Sequence, residues 1–280
     1  MIIIKAGGSA ITKKSEDFTP NMEVISNIAQ EIKNAGRVVI LVHGAGSFGH
    51  PIAKKYSLGK GYVDEFQLKG FSETRSSISE LDTIILKALM QNGLTPVKIG
   101  TFSNFITSNG RIVEFHKEPL LRAIELGLLP VFTGDLVFDK SRVFSILSGD
   151  QIVSHLSKLL KPSRVIFGTD VDGIYTGDPK KEKVKLIKEV SEENIDEIFK
   201  FAKSTGDASG GMEGKFSEIF SIFDLGIEID VINLTEKDNL SNALQGKVKG
   251  TVIKRKIFRI ILYFILFYFS YYKIKQCSRN

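Results

Sequence analysis

Residues 37–56 read RVVILVHGAGSFGHPIAKKY. An apolar run ends in Gly44-Ala45-Gly46-Ser47-Phe48-Gly49, which spells G-x-G-x-x-G. That spacing is the dinucleotide fingerprint, and Asp64 and Glu65 lie near the acidic position such a site uses on the ribose. A dinucleotide turn, however, opens directly into a helix. Here His50-Pro51 follows at once, and the stretch KKYSLGKGYVDEF (54–66) carries no convincing helical pattern. The expectation is a glycine turn that holds phosphate without a dinucleotide helix behind it.

The surroundings of that turn repeat along the chain. IIIKAGG (2–8), RVVILVHG (37–44), TPVKIG (95–100), LLPVFTGD (128–135), RVIFGTD (164–170) and IEIDVINL (227–234) read as buried strands. Amphipathic segments lie between them at 20–35, 68–92, 117–126, 149–161, 190–203 and 212–226. Strand alternating with helix argues for an α/β sandwich around a mainly parallel sheet. GDLVFDKSRVFSILSGD (134–150) departs from the alternation. It reads as a hairpin turning at Asp139-Lys140, at the mouth of the sheet.

The formal charge of +6 comes from one end of the chain. Residues 255–280 hold six of the 38 basic residues and no acid, leaving 32 basic against 32 acidic residues in the body. A balanced body gives no electrostatic footprint for nucleic acid. The single cysteine, Cys277, excludes an intrachain disulfide and a cysteine-based metal site, and a reducing cytoplasm is the expected compartment. The start of the chain has no signal-peptide pattern. Near the other end, Ile260–Tyr272 is an apolar, aromatic stretch of thirteen residues flanked by basic ones. A bilayer span needs about 20 residues. The expectation for 255–280 is an appended segment, with interfacial membrane contact or a tail anchor as the sharper readings.

Four further stretches bear on the chemistry. KAGGSAITKK (5–14) ends a strand at Lys5. Gly7-Gly8 allow a tight turn whose N–H groups can face phosphate oxygens, Ser9 adds a hydroxyl, and Lys14 adds charge. SGDQ (148–151) puts Asp150 at the start of a helix, as a first-turn acid or as a group orienting lysines. GTDVDGIYTGDP (168–179) offers Asp170 and Asp172 to a base or ribose, and DASGGMEGKF (207–216) sets glycines before a helix with Lys215 following. Each is weak alone. Together, three glycine turns, three lysines and an organising aspartate suit phosphoryl transfer. Its catalysis is positioning plus neutralisation of spread negative charge.

KAGGSAITKK, HGAGSFGH, SGDQ, FGTDVDGIYTGDP and GGMEGK jointly resemble the amino acid kinase superfamily, and most closely its archaeal-type isopentenyl phosphate kinases. The resemblance runs from about Met1 to Lys254. HGAGSFGH (43–50) is its most specific piece, because members with amino-acid substrates lack the closing histidine. The resemblance implies a three-layer α/β/α sandwich, usually a homodimer. The acceptor site would lie in the N-terminal part of residues 1–254 and the nucleotide site in the C-terminal part. It implies phosphorylation of isopentenyl phosphate by ATP with Mg²⁺ carried by the nucleotide, within isoprenoid biosynthesis by an alternative mevalonate route, and no resident metal.

By the same resemblance, Lys5, Ala6, Gly7, Gly8 and Ser9 meet the ATP phosphates, and Gly46, Asp170, Gly211 and Lys215 serve the nucleotide. Lys14 stabilises the transferring group, and Asp150 orients the lysines. Ala45, Gly49, His50 and Gly149 face the acceptor, His50 holding its phosphate. A histidine suits an acceptor that is already a phosphate monoester, since its N–H donates to a phosphate oxygen and no general base is needed. His43 at the strand end reads as structural, and His116 and His155 as incidental. Phe71, Ile78 and Leu81 are offered to an apolar wall at helical spacing, core packing being the commoner fate of such residues. Two rivals remain: a kinase of another small phosphate or phosphonate such as fosfomycin, and a non-catalytic nucleotide-binding protein of the same fold.

Overall fold

The computed structural model describes residues 1–13, 15–177, 184–198 and 211–255, without the side chains of 211–213 and 215. The first half runs β1 (Ile2–Ala6), α1 (Gly8–Ile11), α2 (Met22–Ala35), β2 (Val39–His43), α3 (His50–Lys55), α4 (Phe66–Gln91), β3 (Pro96–Lys98), α5 (Thr101–Asn104), β4 (Phe105–Ser108) and β5 (Arg111–Phe115). Then follow α6 (Glu118–Glu125), β6 (Leu129–Thr133), β7 (Asp135–Asp139), β8 (Val143–Leu147), α7 (Gly149–Leu160), β9 (Arg164–Thr169), β10 (Ile174–Tyr175), β11 (Leu186–Ile187) and β12 (Glu189–Val190). The last elements are α8 (Gly211–Phe223), β13 (Glu228–Asn233), α9 (Asn239–Leu244) and β14 (Gly250–Ile253).

The six apolar runs are strands of one sheet, in the order β12-β14-β13-β9-β1-β2-β6-β3. From β13 to β3 the pairings are parallel, and β14 joins β13 antiparallel. β1 and β2 are buried at every position, as apolar strands with helices on both faces must be. Alternation divides their side chains between two cores. Ile2, Ile4 and Ala6 face α2, α4 and α9, in a cluster with Val24, Ile28, Leu81, Leu89 and Leu240. Ile3 faces α7 and α8, in a cluster with Ile152, Leu156, Ile219 and Ile222. The result is the expected three-layer sandwich.

Helix boundaries follow their local chemistry. Asn21 caps α2 by accepting from the Val24 N–H at 3.5 Å, and Gly36 ends it with φ +57°. Ser148 caps α7 by accepting from the Gln151 N–H at 3.1 Å. The hairpin expected at 134–150 is β7–β8, and it belongs to a second sheet ordered β5-β4-β7-β8. Of the segment 190–203, residues 195–198 are helical and 199–203 lie outside the described residues, as does 256–280.

One expectation is overturned. The glycine turn does open a helix: Gly46–Phe48 form a single 3₁₀ turn and α3 begins at His50. Pro51 breaks a helix interior, but in the first turn its missing N–H has no intrahelical partner to lose. The dinucleotide reading therefore cannot be dismissed on helix position, and is decided by what the glycines touch.

Candidate active site

Ala6 of β1 pairs with His43 on one side and Gly168 on the other, and His43 pairs with Thr133 of β6. Four neighbouring strands thus end on one row. The segments leaving that row are Gly7–Ser9, Gly44–Gly49, Gly134-Asp135 and Asp170 onward. Ligands of open α/β sheets sit at such carboxyl ends.

Lys5 lies one step before the end of β1, on the same face as Ile3. Alternation aims it at α7, and its Nζ is 3.1 Å from Asp150 Oδ1 in the first turn of that helix. Both side chains are largely buried, at 9% and 15% exposure, so the carboxylate fixes the ammonium where the chain ends the strand. Gly149 brings α7 close. A Cβ there would be 3.4 Å from the His43 carbonyl and 3.7 Å from Lys5 Cε.

The two glycine turns touch each other, backbone to backbone. A Cβ on Gly8 would stand 2.5 Å from Gly46 N, and one on Gly44 would stand 2.7 Å from Gly8 N. Gly46 has φ +51° besides. Thr12 bolts the pair together: its Oγ1 donates to Gly8 O at 2.7 Å and accepts from the Ser47 N–H at 3.0 Å. Some glycine N–H groups are spent internally, Gly7 on Gly168 O at 2.8 Å and Gly44 on Ala6 O at 2.9 Å. Gly8 and Ser9 open α1, where a helix leaves its N–H groups without an intrahelical acceptor. The glycines therefore do two jobs, close packing and presentation of donors. In a dinucleotide turn they would serve one pyrophosphate, whereas here two separate turns are assembled over one row of strand ends.

On the far side of β1, the Ser9 hydroxyl donates to Asp170 Oδ1 at 2.7 Å, tying the first turn to the end of β9. Asp172, paired with it in the sequence reading, is committed elsewhere. It accepts from Asn233 Nδ2 at 2.9 Å and from the Tyr175 hydroxyl at 3.0 Å. His50 is the first residue of α3, and Gly49 lets the turn close: a Cβ there would be 2.6 Å from Ala45 Cβ. The imidazole is exposed at the rim. Even so, the protein around it, and then the Lys5 ammonium, hold its pKa below the usual histidine value. Both causes favour the neutral ring, an N–H donor sharing an electrostatic field with Lys5. Lys14 and the Lys215 side chain lie outside the described residues, while Gly211 opens α8.

His43 and His155 take up structural places. His43 is fully buried, with Nε2 2.9 Å from Asp82 Oδ1, and Asp82 also pairs with Lys98. Burial pushes the Asp82 carboxyl up, but His43 and Lys98 together outweigh it and hold the pKa low. His155 packs edge-on against Phe105 and Phe115.

Of the three residues offered to an apolar wall, Leu81 and Ile78 are buried, at 0% and 3% exposure. Only Phe71 reaches a cluster of rings. It packs on Phe144 at 5.3 Å, Phe102 at 6.0 Å and Phe138 at 6.3 Å between ring centres. Ile52 of α3 and Tyr56, which caps that helix, border this cluster. Sequence reasoning missed Phe102, Phe138 and Phe144, and also Arg75, whose guanidinium lies 3.7 Å above Phe102 and whose Nε is 3.4 Å from Asp135 Oδ2. Thr12 was missed too. Among the described residues no group of three or more potential ligands is arranged to hold a metal ion, and no helix is long and apolar enough to cross a membrane.

Comparison with known proteins agrees with this geometry. The model of the amino acid kinase family matches residues 1–233. The isopentenyl phosphate kinase of Methanothermobacter thermautotrophicus is 38% identical over 267 residues, covering 91% of this chain and 100% of that one. The Arabidopsis thaliana isopentenyl phosphate kinase is 32% identical, covering 89% and 92%. Among solved structures, an isopentenyl phosphate kinase superposes with a TM-score of 0.80 at 35% identity, covering 91% of this chain and 100% of that one. A substrate complex of an isopentenyl phosphate kinase superposes with a TM-score of 0.74 at 29% identity, with the same coverage. The chain belongs to the amino acid kinase family, in the group of its isopentenyl phosphate kinases.

Proposed function

We propose that this chain transfers the γ-phosphoryl group of ATP, delivered with its Mg²⁺, to isopentenyl phosphate, giving isopentenyl diphosphate and ADP. An ionised oxygen of the acceptor's phosphate attacks the γ-phosphorus in line. That bond forms as the bond to the β–γ bridging oxygen breaks, and no proton need be removed from the nucleophile. Gly8, Ser9 and Gly46 present backbone groups to the ATP phosphates. Lys5, held by Asp150, neutralises charge between the two substrates, while Lys14 and Lys215 act on the transferring group and the β/γ-phosphates. His50 donates to the acceptor's phosphate beside Ala45, Gly49 and Gly149, and the rings of Phe71, Phe102, Phe138 and Phe144 take its hydrocarbon part. Asp170 and Gly211 serve the nucleotide.

The observation that carries this reading is the Lys5–Asp150 pair at 3.1 Å, beside two mutually packed glycine turns with His50 on the same edge. Residues 1–254 carry the chemistry in this account and 255–280 are an appendage. The enzyme works in the cytoplasm as a homodimer. The test is ADP release across isopentenyl phosphate, dimethylallyl phosphate, fosfomycin, acetylglutamate and UMP. Isopentenyl phosphate should give the highest kcat/KM. A preference for fosfomycin, or turnover indifferent to every acceptor, would replace the reading with one of its rivals.

A further inference from the structure

The small sheet that backs the ring cluster is wired to both halves of the phosphate machinery. Asp139, buried at the end of β7, accepts from the N–H groups of Asn109 at 3.1 Å, Gly110 at 2.7 Å, Ser141 at 2.8 Å and Arg142 at 2.9 Å. It thereby joins the β4–β5 turn to the hairpin that carries Phe138 and Phe144. Gln151, next to Asp150 on α7, holds the same turn. Its Nε2 donates to Gly110 O at 3.0 Å and its Oε1 accepts from the Ile112 N–H at 3.2 Å. Arg111 stands between those two contacts. Its guanidinium reaches across to α8 and forks onto Glu218, with Nη1 on Oε1 and Nη2 3.4 Å from Oε2.

Glu218 is only 5% exposed, on a helix whose neighbouring positions Phe216, Ile219, Ile222 and Phe223 fill the core. The Arg111 side chain is 59% exposed, so only the carboxylate bears a desolvation cost, and an apolar residue at 218 would suit the core about as well for stability. A forked ion pair adds what an apolar contact lacks, a fixed direction and register. Lys215 precedes Glu218 by three residues, less than one turn, and Gly211 opens the same helix. We infer that Arg111 and Glu218 are a positioning pair, in which the turn anchored by Asp139 and Gln151 fixes the rotation and register of α8, the helix whose Gly211 and Lys215 are proposed to serve the nucleotide. The inference rests on the nucleotide role proposed for Lys215.

The test compares R111M, R111M/E218M and K215A with the parent chain, reading thermal stability and the kinetics of both substrates. R111M strands a buried carboxylate and should lower both stability and kcat/KM for ATP. R111M/E218M replaces the pair by apolar side chains of similar length, and should return the melting temperature to the parent value or above. Its kcat/KM for ATP should stay low, by roughly 10- to 100-fold. The acceptor KM should hold in both, because Asp139 and Gln151 still anchor the turn. Parent-like kcat/KM for ATP in R111M/E218M, with K215A impaired, would reduce the pair to packing and overturn the inference alone. A K215A variant with parent kinetics would overturn the assignment of Lys215, and the inference with it.

Discussion

Gly8→Ala puts the assembly of the two glycine turns to a direct test. Gly8 opens α1, and its φ is not in the left-handed region, so alanine suits the backbone there. Space is what forbids it. The new Cβ would lie 2.5 Å from Gly46 N and 2.6 Å from Gly46 Cα, both backbone atoms without a flexible end to swing aside. Restoring ordinary contact parts the turns by about 0.9 Å. That motion strains the Thr12 bridge and separates Gly8 and Ser9 from Gly46, Ala45 and His50. Misplacement on this scale costs roughly 10²-fold in a phosphoryl transfer governed by positioning. The assay is kcat/KM for both substrates beside urea denaturation. Gly127→Ala is the control: with φ +70° and nothing within 4 Å, it loses about 1 kcal/mol of stability by backbone strain alone and keeps its kinetics. A Gly8→Ala protein with parent kcat/KM refutes the claim that the turns must touch.

Three other outcomes follow from the same geometry. His50→Ala should cut kcat/KM for isopentenyl phosphate by about 10- to 150-fold, the worth of a hydrogen bond to a charged group, with His50→Gln between; equal loss of ATP affinity would make His50 a support of the loop. Lys14→Ala should lower kcat by roughly 10²-fold while leaving ATP binding nearly unchanged, and a variant with undiminished kcat excludes Lys14 from the transition state. Asp230, fully buried beside Arg164, has its pKa raised to about 6 by burial, against the pull of Arg164. The native state therefore holds that proton more tightly than the unfolded chain, and stability falls as pH rises from about 4 to 6, by at most about 3 kcal/mol. Asp230→Asn should flatten that part of a denaturation–pH profile, whatever offset its altered ion pair imposes; an unchanged slope rules Asp230 out as its source.

Strands buried on both faces announce themselves as unbroken apolar runs, which is why β1, β2, β6, β9 and β13 were legible. The β4–β5 hairpin was missed although FITSNGRIVEF (105–115) carried its signal. Asn109 and Gly110 have φ values of +49° and +75°, the pair of left-handed residues a two-residue hairpin turn requires. α3 was missed because Pro51 was weighed as a breaker and not as a first-turn residue. The glycine turns and His50 were visible as local patterns, and their residue types limited the chemistry. What joins them was not visible. Lys5 meets Asp150 and Ser9 meets Asp170 because parallel strands bring distant segments to one edge, and Arg111 meets Glu218 because the second sheet packs beside α8. No local period encodes those meetings. The ring cluster was hidden for the same reason, its members coming from α4, α5, β7 and β8.

The central claim is that a phosphoryl group passes directly from ATP to an acceptor that is already a phosphate monoester. Incubating the full chain with isopentenyl phosphate and ATP labelled at the γ-phosphorus tests it with one readout. The account predicts label in the terminal phosphate of isopentenyl diphosphate, in step with ADP and only when the acceptor is present. Label released as inorganic phosphate at the same rate with and without the acceptor, and none in a diphosphate, would contradict it.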